Sequence, residues 1–259
     1  MGTNTKPSQR LHTTDGALEI LREGEAEVRG LFRLGSNDTF LCEVRSARGS
    51  LQAVYKPVRG ERPLWDFPPG SLGKREAAAF EMARLLGWDF VPPTVFRPDG
   101  PLGAGSFQEY LDLDLEQNYF LLRDEDPDVL RRVAAFDILV NNADRKAMHM
   151  ARDGSGTVWL IDHGVCFHHE WKLRTVIWDF AGDLLPDDVM LVLEKFTKSK
   201  PGVHHSPRSI FRERVQDALS TLLTADEITA LESRAGVLRK ARHFPHPGPG
   251  ISVPWPIWA

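Results

Sequence analysis

The sequence predicts an α+β fold, with an N-terminal antiparallel sheet carrying one packed helix and a small, mainly helical C-terminal part. Two observations point to it. Residues 28–57 hold three β-type runs separated by short polar turns, and the second half of the chain is dominated by helix-period segments with one β-hairpin among them. With 42% hydrophobic residues, the 259-residue chain can bury a substantial core.

The elements follow in order. Residues 1–14 are polar, lack the apolar stretch of a signal peptide, and are expected to be flexible. Residues 15–23 form a short helix with Asp15 as its cap, and 28–34, 39–45 and 51–56 form three strands. Pro63, Pro68, Pro69, Gly60, Gly70 and Gly73 exclude regular structure from the loop 59–73, where Trp65 and Phe67 either cover a ligand or anchor the loop. An amphipathic helix over 74–87 buries Ala79, Met82, Ala83 and Leu86 and stops at a glycine. Strands over 91–97 and 106–111 complete the sheet. A helix over 127–140 carries Val129, Val133, Phe136 and Val140 on one face. The hairpin has strands 148–151 and 157–161 around Asp153-Gly154-Ser155-Gly156. Helices over 206–222, with Pro207 in its first turn, and from the capping box Thr224-Ala225-Asp226-Glu227 through 239 close the fold. The tail, 245–259, has five prolines together with Trp255 and Trp258; it is extended, either clipped on the surface or offered to a partner.

The chemistry is concentrated around the hairpin. Asp144 precedes it and Asp162 follows it, so the two carboxylates meet at one rim, where one can orient a hydroxyl and the other can hold a phosphate-bound metal ion. Lys56 ends the third strand, in position to reach nucleotide phosphates. Gly35-Ser36-Asn37-Asp38, between the first two strands, is a candidate phosphate cradle in which Ser36 and Asn37 present backbone N–H groups, although no glycine-rich signature is present. Glu76, in the first turn of the 74–87 helix, can pair with Lys56, with Glu81 as the competing choice. Asn141 and Asn142 can orient Asp144 or a metal ion, and Arg145 either binds phosphate or ties the loop to neighbouring carbonyls. His168, His169 and Glu170 lack the spacing of a metal cluster, Lys172 and Arg174 can steady an anion, and His204-His205 carries no chemistry.

This order of lysine strand, glutamate helix, Phe136-Asp137-Ile138-Leu139-Val140-Asn141-Asn142-Ala143-Asp144-Arg145 and Ile161-Asp162-His163-Gly164 resembles the phosphatidylinositol 3-/4-kinase-like and HipA-like branch of the protein-kinase fold, over residues 28–182. Within it the chain resembles in particular a kinase-like family best represented in actinobacteria. The resemblance implies a two-lobed protein-kinase-like fold with an N-lobe over 15–113 and a C-lobe over 114–244. It implies ATP and a divalent metal, Mg or Mn, as cofactors. It also implies that Lys56 contacts phosphates, Asp144 is the catalytic base, Asp162 binds metal, and Glu109, Tyr110 and Leu111 form a hinge that reads adenine. The family's second metal ligand, an asparagine five residues after the catalytic aspartate, is His149 here, and a common histidine is Lys146. An imidazole suits manganese better than magnesium. His149 either completes the metal set with Asp162 and Asn142 or caps the start of the hairpin.

Two function classes follow: an ATP-dependent phosphotransferase acting on a hydroxyl of a protein, small molecule or lipid, or a pseudokinase that binds nucleotide without transfer. The net charge of −4 argues against a nucleic-acid partner. Only Cys42 and Cys166 are present, which suits reduced thiols in the cytoplasm. With no run of ~18 apolar residues, no stable membrane insertion is expected. The chain is expected to act as a monomer.

Overall fold

The computed structural model describes residues 12–32, 37–196 and 206–258. Helix α1 (Thr14–Glu23) is capped by the Thr13 hydroxyl, which accepts the Gly16 N–H at 3.2 Å. Thr13 therefore takes the capping role expected of Asp15, which stands in the first turn where its charge suits the helix dipole. Strands β1 (Glu25–Phe32), β2 (Thr39–Ser46), β3 (Gly49–Pro57), β4 (Thr94–Arg97) and β5 (Gly105–Glu109) form one antiparallel sheet in the order β1-β2-β3-β5-β4. β1 starts earlier than expected because Glu25 and Glu27 lie on an exposed face that carries no apolar signal. β4 starts later, because Pro92 and Pro93 have no N–H to give a ladder. β5 ends at Glu109, with the Tyr110 N–H still bonded to the Gln52 carbonyl at 2.8 Å.

Helix α2 (Leu72–Leu86) packs against β4 and β5 and ends at Gly87, whose φ of 76° is left-handed. It begins at Leu72 rather than residue 74, which moves Glu76 out of the first turn.

The lower half begins with β6 (Leu113–Asp114), α3 (Tyr119–Glu125) and α4 (Pro127–Val140). It continues with β7 (Met150–Asp153), β8 (Val158–Leu160), α5 (Asp187–Glu194), α6 (Pro207–Leu219) and α7 (Ala225–Ala241). The hairpin β7–β8 starts at Met150, because Ala147–His149 forms a single 3-10 turn, and β6 joins it as a third strand. α3 and α5 are additions to the expected set; each is two turns or so, too short for a periodic signal. α6 stops at Leu219, short of residue 222, whereas α7 has the expected capping box of Thr224 and Glu227.

Both halves share one apolar core. Phe136 of α4 meets Trp88 and Phe90 edge-on at ring-centroid separations of 6.4 and 5.2 Å. Tail residues 245–258 contain no helix. Their Ser252 carbonyl accepts the Thr175 N–H at 3.1 Å, and the Ile257 and Trp258 carbonyls accept the Ala147 and Met148 N–H groups at 2.8 and 3.1 Å. No helix among the described residues is long and apolar enough to cross a membrane.

Candidate active site

Lys56 is the penultimate residue of β3, and the sheet's pleat turns its side chain toward α2. Its Nζ donates to a Glu76 oxygen and, at 2.9 Å, to Asp162 Oδ1. The other Glu76 oxygen accepts the His163 N–H at 2.9 Å, so one buried carboxylate fixes both the lysine and the backbone next to Asp162. Burial alone would depress the Lys56 ammonium, but the charges of Asp162 and Glu76 and hydrogen bonds to both raise it above its ordinary value. Asp162 is held far below the usual carboxylate range, chiefly by the Lys56 charge and against the cost of burial. Its φ of 61° is the left-handed region that Asp tolerates better than most side chains.

Asp144 follows helix α4, which ends at Asn141 with φ of 52°. The Asn142 side chain is fully occupied in shaping this turn: its Oδ1 accepts the Asp144 N–H at 3.0 Å and its Nδ2 donates to Asp137 Oδ1 at 3.0 Å. Asn142 is buried and aimed at Asp137, so the structure does not bring it to Asp162, and Asn141 likewise serves the carbonyls of His168 and Glu170. Arg145 is buried in a fork on Asp137, with Nε 3.0 Å from Oδ2, and also donates to the carbonyls of His149 at 2.9 Å and Ile161 at 3.1 Å. Of its two expected roles, this is the loop tie; every nitrogen of its guanidinium is used inside the protein. Burial and the Asp162 charge raise the Asp144 carboxyl, while Lys146, 3.2 Å away, and Arg174 oppose them.

His149 Nε2 lies 3.4 Å from Asp162 Oδ2, and its Nδ1 faces the Lys146 N–H at 3.5 Å. An amide N–H at Nδ1 requires a lone pair there, which leaves the ring proton on Nε2 pointing at Asp162. Burial, first of all, pushes the imidazole down to about 4, so it is neutral at pH 7. In this tautomer His149 is a donor to Asp162 and a cap on the 3-10 turn, and ligation of a metal ion at Nε2 would require that proton to leave. Among the described residues no three His, Cys, Asp or Glu groups gather as a metal cage. Asp162, with a side chain 48% exposed, and Asp144, at 33%, are carboxylates an ion can reach. Magnesium sites built from one or two carboxylates plus nucleotide phosphates and water fit that supply.

A cavity of about 290 Å³ joins these groups, lined by Lys56, Glu76, Asp144 and Asp162 together with Asn37, just before β2, and Arg174. Ser36 lies outside the described residues. The hinge candidates are not part of this cavity. Glu109 N–H is bonded to the Pro93 carbonyl at 2.9 Å and Tyr110 N–H to Gln52, and the Tyr110 ring stacks on Phe32 at 6.2 Å.

One residue beside the site carried no sequence signal. Arg75, beside Glu76 on α2, is buried in an ion pair with Glu227 of α7 and donates to the Cys166 carbonyl at 2.6 Å, pinning the glutamate helix to the lower half. Trp65 stands 90% exposed at the cavity mouth with the Lys172 ammonium 4.8 Å from its ring; Phe67, by contrast, is the buried anchor of that loop. Lys172 is occupied by Asp66 at 3.1 Å, whereas Arg174 lines the cavity itself.

Comparison with known proteins agrees with this architecture. Protein Rv2133c of Mycobacterium tuberculosis (strain ATCC 25618 / H37Rv) is 36% identical over 274 aligned positions, covering 92% of this chain and 94% of that protein. Among solved structures, hydra Fam20 with sugar matches at a TM-score of 0.56 and 15% identity, over 86% of both chains. The Golgi casein kinase with Mn/ADP bound matches at 0.50 and 16% identity, over 88% of this chain and 74% of that one. No protein-family profile matches the chain. At such identities the structural likeness carries the fold, which is protein-kinase-like.

Proposed function

We propose that this chain, which belongs to the family of Protein Rv2133c from Mycobacterium tuberculosis, is an ATP-dependent phosphotransferase that passes the γ-phosphate to a hydroxyl acceptor. One observation carries the reading: a lysine from the sheet held between a buried helix glutamate and an aspartate that shares a cavity with a second aspartate. In phosphoryl transfer the protein mainly positions groups and compensates charge. Lys56, steadied by Glu76, would pair with the phosphates. Asn37, which lines the cavity, would offer its backbone N–H to them. Asp144, whose carboxyl is raised toward the working pH, would accept the acceptor's proton. Asp162 would hold a divalent ion, which when bound neutralises charge on the phosphates; the Golgi casein kinase solved with Mn/ADP is a neighbour that binds both. Glu109, Tyr110 and Leu111 remain the proposed adenine edge, with the Phe32–Tyr110 stack as a flat wall beside it.

The resemblance to phosphatidylinositol 3-/4-kinase-like and HipA-like enzymes supports the same set of roles, with protein, small-molecule and lipid hydroxyls all open as acceptors. We place the reaction in the cytoplasm, on the strength of two free buried thiols. A pseudokinase is the second reading, favoured by His149, which turns an N–H rather than a lone pair toward Asp162. Transfer from labelled ATP, with Asp144→Asn as the variant, separates them: the transferase reading expects retained ATP binding and turnover lower by about 10²–10⁴-fold. No transfer by the wild type to itself, to protein or to small hydroxyl acceptors would favour the pseudokinase.

A further inference from the structure

A second cavity, of about 530 Å³, lies in the lower half, away from Lys56 and Asp162, between the end of α4, Trp171, Gly182, α7 and the strand-like segment after it. Its walls are mostly apolar, with Ile138, Val237, Leu238 and Phe244 among them, and Val237 is 67% exposed at the rim. The titratable groups lining it are Arg234, His243 and His246, and no carboxylate lines it. The wall bearing the histidines is fixed: Gly182 and Phe244 are joined by a backbone hydrogen bond of 3.0 Å, and Gly182, with φ of 87°, lies so close that a Cβ there would come within 3.1 Å of the His246 ring.

Arg234 is the unusual group. It is 9% exposed; its Nε donates to the Leu139 carbonyl at 2.9 Å and its Nη1 to the His168 carbonyl at 3.2 Å, while its buried Nη2 has no hydrogen-bond partner among the described residues. Buried guanidinium groups are normally matched by carboxylates, and an unmatched donor there is costly. Glu227 on the same helix is committed to Arg75 and to the Thr224 cap. The residues outside the described set contain no aspartate or glutamate that could serve. Burial pushes Arg234 down to about 10, and the nearby Glu227 charge offsets this only in part.

We propose that this cavity is a binding site for a small amphipathic anion, an apolar body seated on Val237, Leu238 and Phe244 with a carboxylate or phosphate head paired to Arg234. Its volume lies in the range of small-molecule pockets, and its charge calls for an anion. The site stands apart from the phosphotransferase reading. It does touch the same framework, because Arg234 ties the carbonyl of Leu139, in the helix that leads to Asp144, to that of His168, whose ring contacts the Asp66 carbonyl at 2.9 Å beside the first cavity.

Isothermal titration of the full chain with decanoate, decyl phosphate and decanol tests it, since the three share one apolar body and differ in the head. We expect saturable one-to-one binding of at least one anion, about tenfold or more tighter than decanol. The tighter of the two anions assigns the head as carboxylate or phosphate. Val237→Trp, at an exposed position on the rim, should abolish binding while leaving the melting temperature unchanged, and Arg234→Gln should remove the preference for the anion. No binding of either anion, equal binding of decanol, or undiminished binding by Val237→Trp would overturn the proposal.

Discussion

Lys56→Met is the perturbation whose effect the site geometry defines most closely. It removes the cation between Glu76 and Asp162 and leaves the Glu76 carboxylate, 3% exposed, with only the His163 N–H as a hydrogen-bond partner among the described residues. Breaking a fully buried ion pair costs roughly 3–5 kcal/mol. Lys56 is 26% exposed and Asp162 48%, so solvent screening reduces the expected loss to about 2 kcal/mol. For a chain of this size that lowers the melting temperature by about 4–8 °C. Asp162 has a depressed carboxyl, so its stabilising share is present at neutral pH and lost only on acidification below about 4; thermal unfolding at pH 7 therefore reads the full effect. Adding Glu76→Gln, which keeps an acceptor for His163 but removes the stranded charge, should recover about half of the loss. An unchanged melting temperature for Lys56→Met, or no recovery in the double variant, would refute the reasoning.

Three further outcomes follow from the same geometry. His149 has a folded-state value near 4, below that of a free imidazole, so the unfolded chain binds more protons between these values and stability falls as pH drops from about 6.5 toward 4. His149→Asn should flatten that fall in pH-dependent denaturation and leave the manganese-to-magnesium ratio of ATP binding unchanged; a shift of the ratio toward magnesium would restore His149 as a metal ligand. Arg145→Met strands Asp137 in the core and should cost about 3–5 kcal/mol in urea unfolding, far more than Asp144→Asn; comparable losses would contradict its structural assignment. A chain ending at residue 250 frees the Ala147 and Met148 amides behind Asp144, so it should keep ATP affinity while losing turnover, and intact turnover would show that the tail does not brace the loop.

How much of this was legible in the sequence depended on the range of the interactions. Lys56 at the end of an alternating strand, the helix stop at Gly87, the capping box at Thr224 and the hairpin between two aspartates are local patterns, and all reappear in the fold. Contacts between distant segments left no such trace. Nothing local to Arg75 announces Glu227 of α7 as its partner, and Arg145 stays open between phosphate ligand and loop tie until Asp137, eight residues earlier, is found facing it in the core. The short elements β6, α3 and α5 form on the lower core without a periodic signal of their own. At Glu109 and Tyr110 the strand pattern was visible, but not the pairing that engages their N–H groups.

Lys56, Glu76 and Asp162 form the proposed nucleotide-phosphate site. Titration calorimetry of the wild-type chain with ATP and magnesium tests it most directly, with Asp162→Asn measured alongside. Saturable binding at one site per chain is expected, which Asp162→Asn abolishes or weakens by at least about tenfold. Absence of binding by the wild type with either magnesium or manganese, or equal affinity in Asp162→Asn, would contradict it.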